Sequence, residues 1–168
     1  VRVPQPYGCF DGVLLMELIT DEEGLVAPRL GDVSMSREQA IEDHAMIMRY
    51  IVRMLCAGLV HGDLSEFNVL VDEYGPVIID LPQAVDASAN THAESMLARD
   101  VNKITSYYGL FAPELLSSHY AKEIWALYEE GELHSETELS GEFEEELVDA
   151  DVDSIMVAIK AAIQEEQD

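Results

Sequence analysis

Asp63, Asn68 and Asp80 are two carboxylates and a carboxamide placed at the ends of two short apolar runs, Val69-Leu70-Val71 and Val77-Ile78-Ile79. Oxygen donors of this kind suit a hard divalent cation, Mg²⁺ or Mn²⁺, and the phosphates that travel with it. The runs are rich in β-branched residues. Between them Asp72-Glu73-Tyr74-Gly75-Pro76 has turn chemistry, because Gly supplies positive φ and Pro fixes φ. The spacing predicts a two-stranded hairpin with Asp63 and Asn68 at its entrance and Asp80 at its exit, so the three polar groups meet at one end. Singly, each is an ordinary turn former. The set carries the chemistry.

The order is His61-Gly62-Asp63, four residues, Asn68, then an apolar strand closed by Asp80. Protein-kinase-like phosphotransferases order their catalytic loop and metal carboxylate in this way. HGDLSEFNVL over 61–70, followed by IIDLPQAVD over 78–86, resembles the RIO protein kinase family, atypical serine kinases and ATPases, and within it the first branch. There the loop reads HGDLSEYN and the metal strand ends IID-x-x-QAV. Ser65-Glu66, Gln83-Ala84-Val85 and the absence of a DFG glycine separate the chain from ordinary protein kinases. Small-molecule kinases of the aminoglycoside and choline type share HGD-L-x-x-x-N. They typically carry His-Pro-Gly where this chain has Ser65-Glu66-Phe67, and an aromatic where it has Leu81-Pro82-Gln83. The resemblance runs from about Val3 to about Phe111.

The resemblance implies an α+β fold: a protein-kinase-like C-terminal lobe, mainly α-helical, with a small catalytic β-hairpin and a hinge strand at the N-terminus. It implies Mg²⁺-dependent phosphoryl transfer from ATP to a serine or threonine hydroxyl, or to water. Asp63 would be the catalytic carboxylate, with Asn68 and Asp80 as metal ligands. His61, Ser65 and Glu66 would support the loop, and His61 is read as architectural. Met16 would be the gatekeeper beside the adenine, with backbone groups of Glu17 and Ile19 reading its edge. Asp100, in the Arg99-Asp100 pair of a later helix, would tie that helix to the loop. A protein substrate is implied as partner. Two alternatives stand beside this: a small-molecule kinase, and a nucleotide-switched factor attaching to ribosomal precursor particles, since family members act in ribosome maturation. One departure is large. No glycine-rich G-x-G-x-x-G and no Lys precede Met16, so the small lobe is expected to be missing and the chain inactive alone.

The elements that must position these groups follow in order. Residues 1–20 are expected to be a remnant of small-lobe strands and hinge, 21–131 the large lobe, and 132–168 an acidic segment with a closing helix. Asp11-Gly12 signals a hairpin, and Val13-Leu14-Leu15-Met16 reads as a short buried strand. Gly24, Ala27, Pro28 and Leu30 match a further family stretch in the following loop. Ser36 and Gln39 make a capping box for a long helix with an apolar stripe at Ile41, Ala45, Met48, Val52 and Leu55, stopped by Gly58; His44 is read as structural. Thr91 and Glu94 make another capping box, for a helix running to about Tyr108 and ended by Gly109. Ala112-Pro113-Glu114 is read as a helix start. A third helix is expected from about Ser117 to Glu130, then a mobile stretch over 132–150, then an amphipathic helix through Val152, Ile155, Met156, Ile159 and Ile163.

Composition narrows the function. Acidic residues number 34 against 9 basic, a net charge of −25, and the lysines are only Lys103, Lys122 and Lys160. Nucleic-acid backbones and anionic membranes are held by clustered Lys and Arg, so neither is an expected partner. The acidity reads either as solvated surface or as adaptation to salt or to a basic partner. Cys9 and Cys56 are expected to be small buried apolar residues in a reducing cytoplasm.

Overall fold

A computed structural model of the chain describes residues 1–143. The architecture is α+β. Its elements are β1 (Pro6–Phe10), β2 (Val13–Met16), α1 (Arg37–Cys56), β3 (Leu59–Val60), β4 (Val69–Asp72), β5 (Gly75–Ile78), β6 (Val85–Asp86), α2 (Ala93–Tyr108) and α3 (Tyr120–Glu129). The strands form three antiparallel ribbons, β1–β2, β3–β6 and β4–β5. Among the described residues no helix is long and apolar enough to cross a membrane.

α1 begins where Ser36 Oγ accepts the Gln39 N–H at 3.1 Å, and ends at Gly58 in the left-handed region, φ 82°. Only half of the predicted capping box forms, because the Gln39 amide donates to Asp43 Oδ1 at 2.8 Å instead of reaching back. Ile47, Met48, Ile51, Val52 and Leu55 are buried with Tyr50 and His44, a stripe broad enough to make α1 the centre of the core. Ala45 falls just past the edge of that arc and is exposed, against expectation. Leu97, Val101, Ile104 and Tyr108 of α2 and Ile124 of α3 complete the core. α2 has no side-chain cap, so the Thr91–Glu94 box does not form. Asn90 supplies the turn there, its Oδ1 accepting the His92 N–H at 2.8 Å and its carbonyl the Ala93 N–H at 3.0 Å. Gly109 closes α2 with ordinary helical backbone, and a Cβ there would strike the Leu116 side chain. Pro113 opens a 3-10 turn, Pro113–Ser117, and α3 starts after it rather than at Ser117.

The hairpins depart from expectation in two ways. In β4–β5 Asp72 pairs with Gly75, so the turn is only Glu73-Tyr74; Gly75 and Pro76 belong to β5, and Ile79 lies beyond it. The Asp72 carboxylate causes this: it accepts the Tyr74 N–H at 2.9 Å and is gripped by Arg2 at 2.8 and 2.5 Å. The Arg2 hydrogen bond, more than anything else, holds the Asp72 carboxyl below its ordinary range. Pro76 fits in the strand because its partner Val71 sends its N–H outward, to Pro28 at 2.9 Å, so no ladder donor is needed there. In β1–β2 the Asp11-Gly12 turn forms with φ 49° and 80°. β2, however, is exposed along its whole length, not buried, because this ribbon has no second layer over it among the described residues. Cys9 in β1 shares that exposure, and Cys56 in the last turn of α1 is exposed with its Sγ 3.7 Å from the Leu133 carbonyl; neither is buried as expected.

Residues 132–143, expected to be mobile, are tied to the helices. Leu133 and Leu139 pack on the core, and the Glu123 carboxylate accepts the N–H groups of Ser140 and Gly141. Residues 144–150 and the amphipathic closing helix lie outside the described residues.

His44 makes the core sensitive to acid. It is buried, its Nε2 lies 2.9 Å from Thr105 Oγ1, and burial lowers its pKa to about 4. The folded value lies below the ordinary 6.5, so as pH falls the unfolded chain takes up the proton first and stability drops between pH 6.5 and pH 4. In urea titrations the wild type should lose about 3 kcal/mol more than His44→Leu across that window; parallel curves for the two proteins would remove His44 as the cause.

Candidate active site

The loop from β3 to β4 carries the predicted residues, and its shape is imposed by three neighbours. His61 is buried, accepts the Asp63 N–H on Nδ1 at 3.3 Å and so donates from Nε2 to the Ile79 carbonyl at 3.0 Å. The ring clamps the loop to the residue just before Asp80. Gly62 has φ 85°, and a Cβ there would meet the Met96 side chain at 2.7 Å and the Gln83 carbonyl at 3.0 Å, so only glycine fits. Asp100 of α2 accepts the N–H groups of Gly62 at 2.7 Å and Leu64 at 2.9 Å. Burial pushes its carboxyl up, while those two donors favour the charged form. Arg99 donates to the Gly62 carbonyl.

Asn68 joins the predicted groups. Its Nδ2 donates to the Asp63 carbonyl at 2.7 Å, and its own carbonyl accepts the Ile79 N–H at 3.0 Å. With the amide nitrogen engaged, Oδ1 is the atom left for a cation. Asp80 follows Ile79 directly and sits in left-handed backbone, φ 64° and ψ 57°, before a 3-10 turn, Leu81–Gln83. Its side chain is exposed, and among the described residues nothing binds it. A non-glycine residue in that conformation is strained, and strain of this kind gathers at functional sites. Asp63, Asn68 and Asp80 are thus brought to one end of β4–β5. Among the described residues no trio of His, Cys, Asp or Glu forms a metal cluster. The donor set is instead an amide oxygen and carboxylates, which fits a magnesium ion whose remaining ligands are waters and phosphates.

The supporting residues divide. Ser65 is nearly buried, its Oγ accepting the Phe67 N–H at 3.4 Å and its carbonyl the Asn68 N–H at 3.0 Å, which makes it a loop-shaper. Glu66 accepts the Gly31 N–H on its carbonyl at 3.0 Å, while its side chain lines an open groove with Arg99, Asn102, Lys103 and Tyr107. At the hinge Met16 is exposed at the end of β2. Glu17 gives its N–H to Gln5, and Ile19 receives the Ala27 N–H on its carbonyl. The Glu17 carbonyl and the Ile19 N–H remain without a partner among the described residues, a donor and an acceptor two residues apart. Ile19, Ala27 and Val77 with Leu70 make a small separate core that seats this predicted hinge segment on the β4–β5 hairpin.

Two contacts were missed in the sequence. Arg2 on Asp72 pairs residues too far apart for any local signal. Lys103 Nζ lies 3.2 Å from Asp63 Oδ1. Here a signal existed, because Lys103 follows Arg99 by one helical turn on the same face of α2.

A family model described as a RIO domain matches residues 1–121. The chain is 38% identical over 111 residues to the RIO-type serine/threonine-protein kinase Rio1 of Haloferax volcanii, covering 64% of this chain and 36% of that protein. It is 38% identical over 111 residues to the Rio2 kinase of Methanocaldococcus jannaschii, covering 64% of this chain and 39% of the relative. With serine/threonine-protein kinase RIO1 of Homo sapiens the identity is 35% over 109 residues, 64% of this chain and 19% of the relative. The chain belongs to the RIO family, a family of serine/threonine kinases, and its α+β fold is accordingly protein-kinase-like. The matched part spans well under half the length of these curated relatives.

Two substitutions should behave oppositely in urea unfolding. Asp100→Ala leaves two buried N–H groups without an acceptor and should cost about 2–4 kcal/mol. Asp80→Gly removes left-handed strain and breaks no contact, so its stability should stay within about 1 kcal/mol of wild type. An unfolding midpoint for Asp100→Ala equal to wild type would show that the loop does not depend on it.

Proposed function

We propose that this chain is the C-terminal-lobe part of a RIO-type kinase or ATPase that transfers the γ-phosphoryl group of ATP to a serine or threonine hydroxyl, or to water. The observation that carries the reading is the Asp63–Asn68–Ile79–Asp80 linkage, which gathers two carboxylates and an amide at one end of β4–β5, with Asp80 unpartnered among the described residues. Asn68 and Asp80 would hold the divalent cation, Mg²⁺ or Mn²⁺, which when bound neutralises charge on the phosphates. Asp63 orients the attacking hydroxyl and accepts its proton. Asn68 keeps the Asp63 backbone in place through its Nδ2. The Glu17 carbonyl and the Ile19 N–H read the adenine edge, with Met16 beside it. His61, Ser65 and Glu66 hold the loop. Because phosphoryl transfer asks little covalent chemistry of the protein, these residues contribute position and charge.

The phosphate-covering loop and strand lysine that such a reaction uses are not among these 168 residues, so this stretch alone turns over no ATP. In the full-length protein Asp63→Ala should lower kcat by about a thousandfold or more while leaving Mg·ADP affinity within a few-fold. Asp80→Ala should abolish the dependence of nucleotide binding on Mg²⁺. Serine-containing protein should be phosphorylated, and aminoglycosides and choline should not. Turnover of Asp63→Ala at the wild-type rate, or unchanged Mg²⁺ affinity in Asp80→Ala, would sink the respective assignment.

A further inference from the structure

We propose that Lys103 is a second catalytic side chain, whose ammonium rests on Asp63 and shifts to the phosphoryl group as that group is transferred. The inference rests on the phosphoryl-transfer reading above. Its starting point is the 3.2 Å contact between Lys103 Nζ and Asp63 Oδ1, in which the two side chains are 40% and 41% exposed. An ion pair this open to water returns little stability and still immobilises a long side chain, so it serves poorly as a brace. Arg99, one turn earlier on α2, shows what a brace looks like here: its guanidinium is committed to the Gly62 carbonyl within the loop.

Charge makes the placement more telling. In a chain with 34 acidic and 9 basic residues, one of the three lysines stands against the loop carboxylate. Beside the carboxylates Asp63, Glu66 and Asp80 the groove also carries Arg99, whose guanidinium is committed to the Gly62 carbonyl, so Lys103 is the cation there with freedom to meet a polyanionic substrate. Among the described residues Lys103 has no partner except Asp63, and its four-carbon stem can carry the ammonium several ångström without moving the helix. The groove of about 560 Å³ lined by Glu66, Asn102, Lys103 and Tyr107 gives the side chain room to swing.

The chemistry couples the two residues. The acceptor oxygen forms its bond to the γ-phosphorus as the bond to the bridging β-phosphate oxygen breaks; ADP leaves, and the acceptor proton passes to Asp63. Protonation removes the charge that held Lys103, and the ammonium is released to the phosphoryl oxygens while charge is spread over them. Lys103 stays protonated throughout.

The test compares wild type, Lys103→Met and Lys103→Arg in the full-length protein, reading Mg·ADP affinity, Mg·ATP affinity, kcat and melting temperature. Lys103→Met should bind both Mg·ADP and Mg·ATP within about twofold of wild type, because the ammonium leaves Asp63 for the phosphoryl oxygens only during transfer. Its kcat should fall on the order of a hundredfold, with much of the loss recovered in Lys103→Arg. If Lys103→Met keeps wild-type kcat while Asp63→Ala loses turnover, the inference is wrong and the phosphoryl-transfer reading survives. Equal losses for Mg·ADP and Mg·ATP with a lowered melting temperature would make Lys103 a brace and also overturn it. A wild type that neither binds nor turns over Mg·ATP defeats the broader reading and this inference with it.

Discussion

One buried carboxylate organises the loop from β3 to β4. Asp100 sits on α2, inside the helical core, and takes two consecutive-but-one backbone N–H groups from the loop, those of Gly62 and Leu64. A loop running over a helical surface has few backbone partners of its own, and buried N–H groups left unpaired are costly. Asp100 supplies those partners from a rigid element. The position of Asp63, between the two bonded residues, follows from α2 rather than from any preference of the loop sequence.

The far side of the site depends on a different device. Asp80 is attached to the loop only through its neighbour Ile79, which is held by the His61 ring on its carbonyl and by Asn68 on its N–H. The next residue takes left-handed backbone, and among the described residues its side chain meets no partner. The rigid part ends at Ile79, and the strained residue after it is left open to a ligand. The site therefore combines a loop carboxylate fixed by the core with a second carboxylate fixed by strain. Such a division costs stability locally and suits a site whose remaining ligands come from outside.

Electrostatics add a constraint of their own. A net charge of −25 disfavours any phosphate ligand at long range. On the function proposed above, compensation is local, through a divalent cation at the oxygen donors and through side chains such as Lys103 at short range. The exposed β1–β2 ribbon shows a similar economy at the level of packing. Val13, Leu14, Leu15 and Met16 lie uncovered, although their sequence reads as a core strand. Apolar character says that a strand can be buried, and only a second layer decides that it is.

The sequence by itself determined the grouping of Asp63, Asn68 and Asp80 around one hairpin and the helical scaffold, because these rest on short-range rules. Turn-forming Gly and Asp, a cap at Ser36, a 3.6-residue stripe along α1 and the His-Gly-Asp to Asn spacing all act within a few residues of one another. It also foretold that Asp100 would bind the loop, through the family resemblance rather than through periodicity. Tertiary structure decided the rest. The turn moved to Glu73-Tyr74 because Arg2, some seventy residues away, holds Asp72. The Thr91 cap of α2 gave way to an Asn90 turn, β2 and both cysteines came to the surface, and Lys103 came to rest on Asp63. Each of these turns on a partner distant in sequence, or on the lack of a covering layer, and neither is written in local pattern.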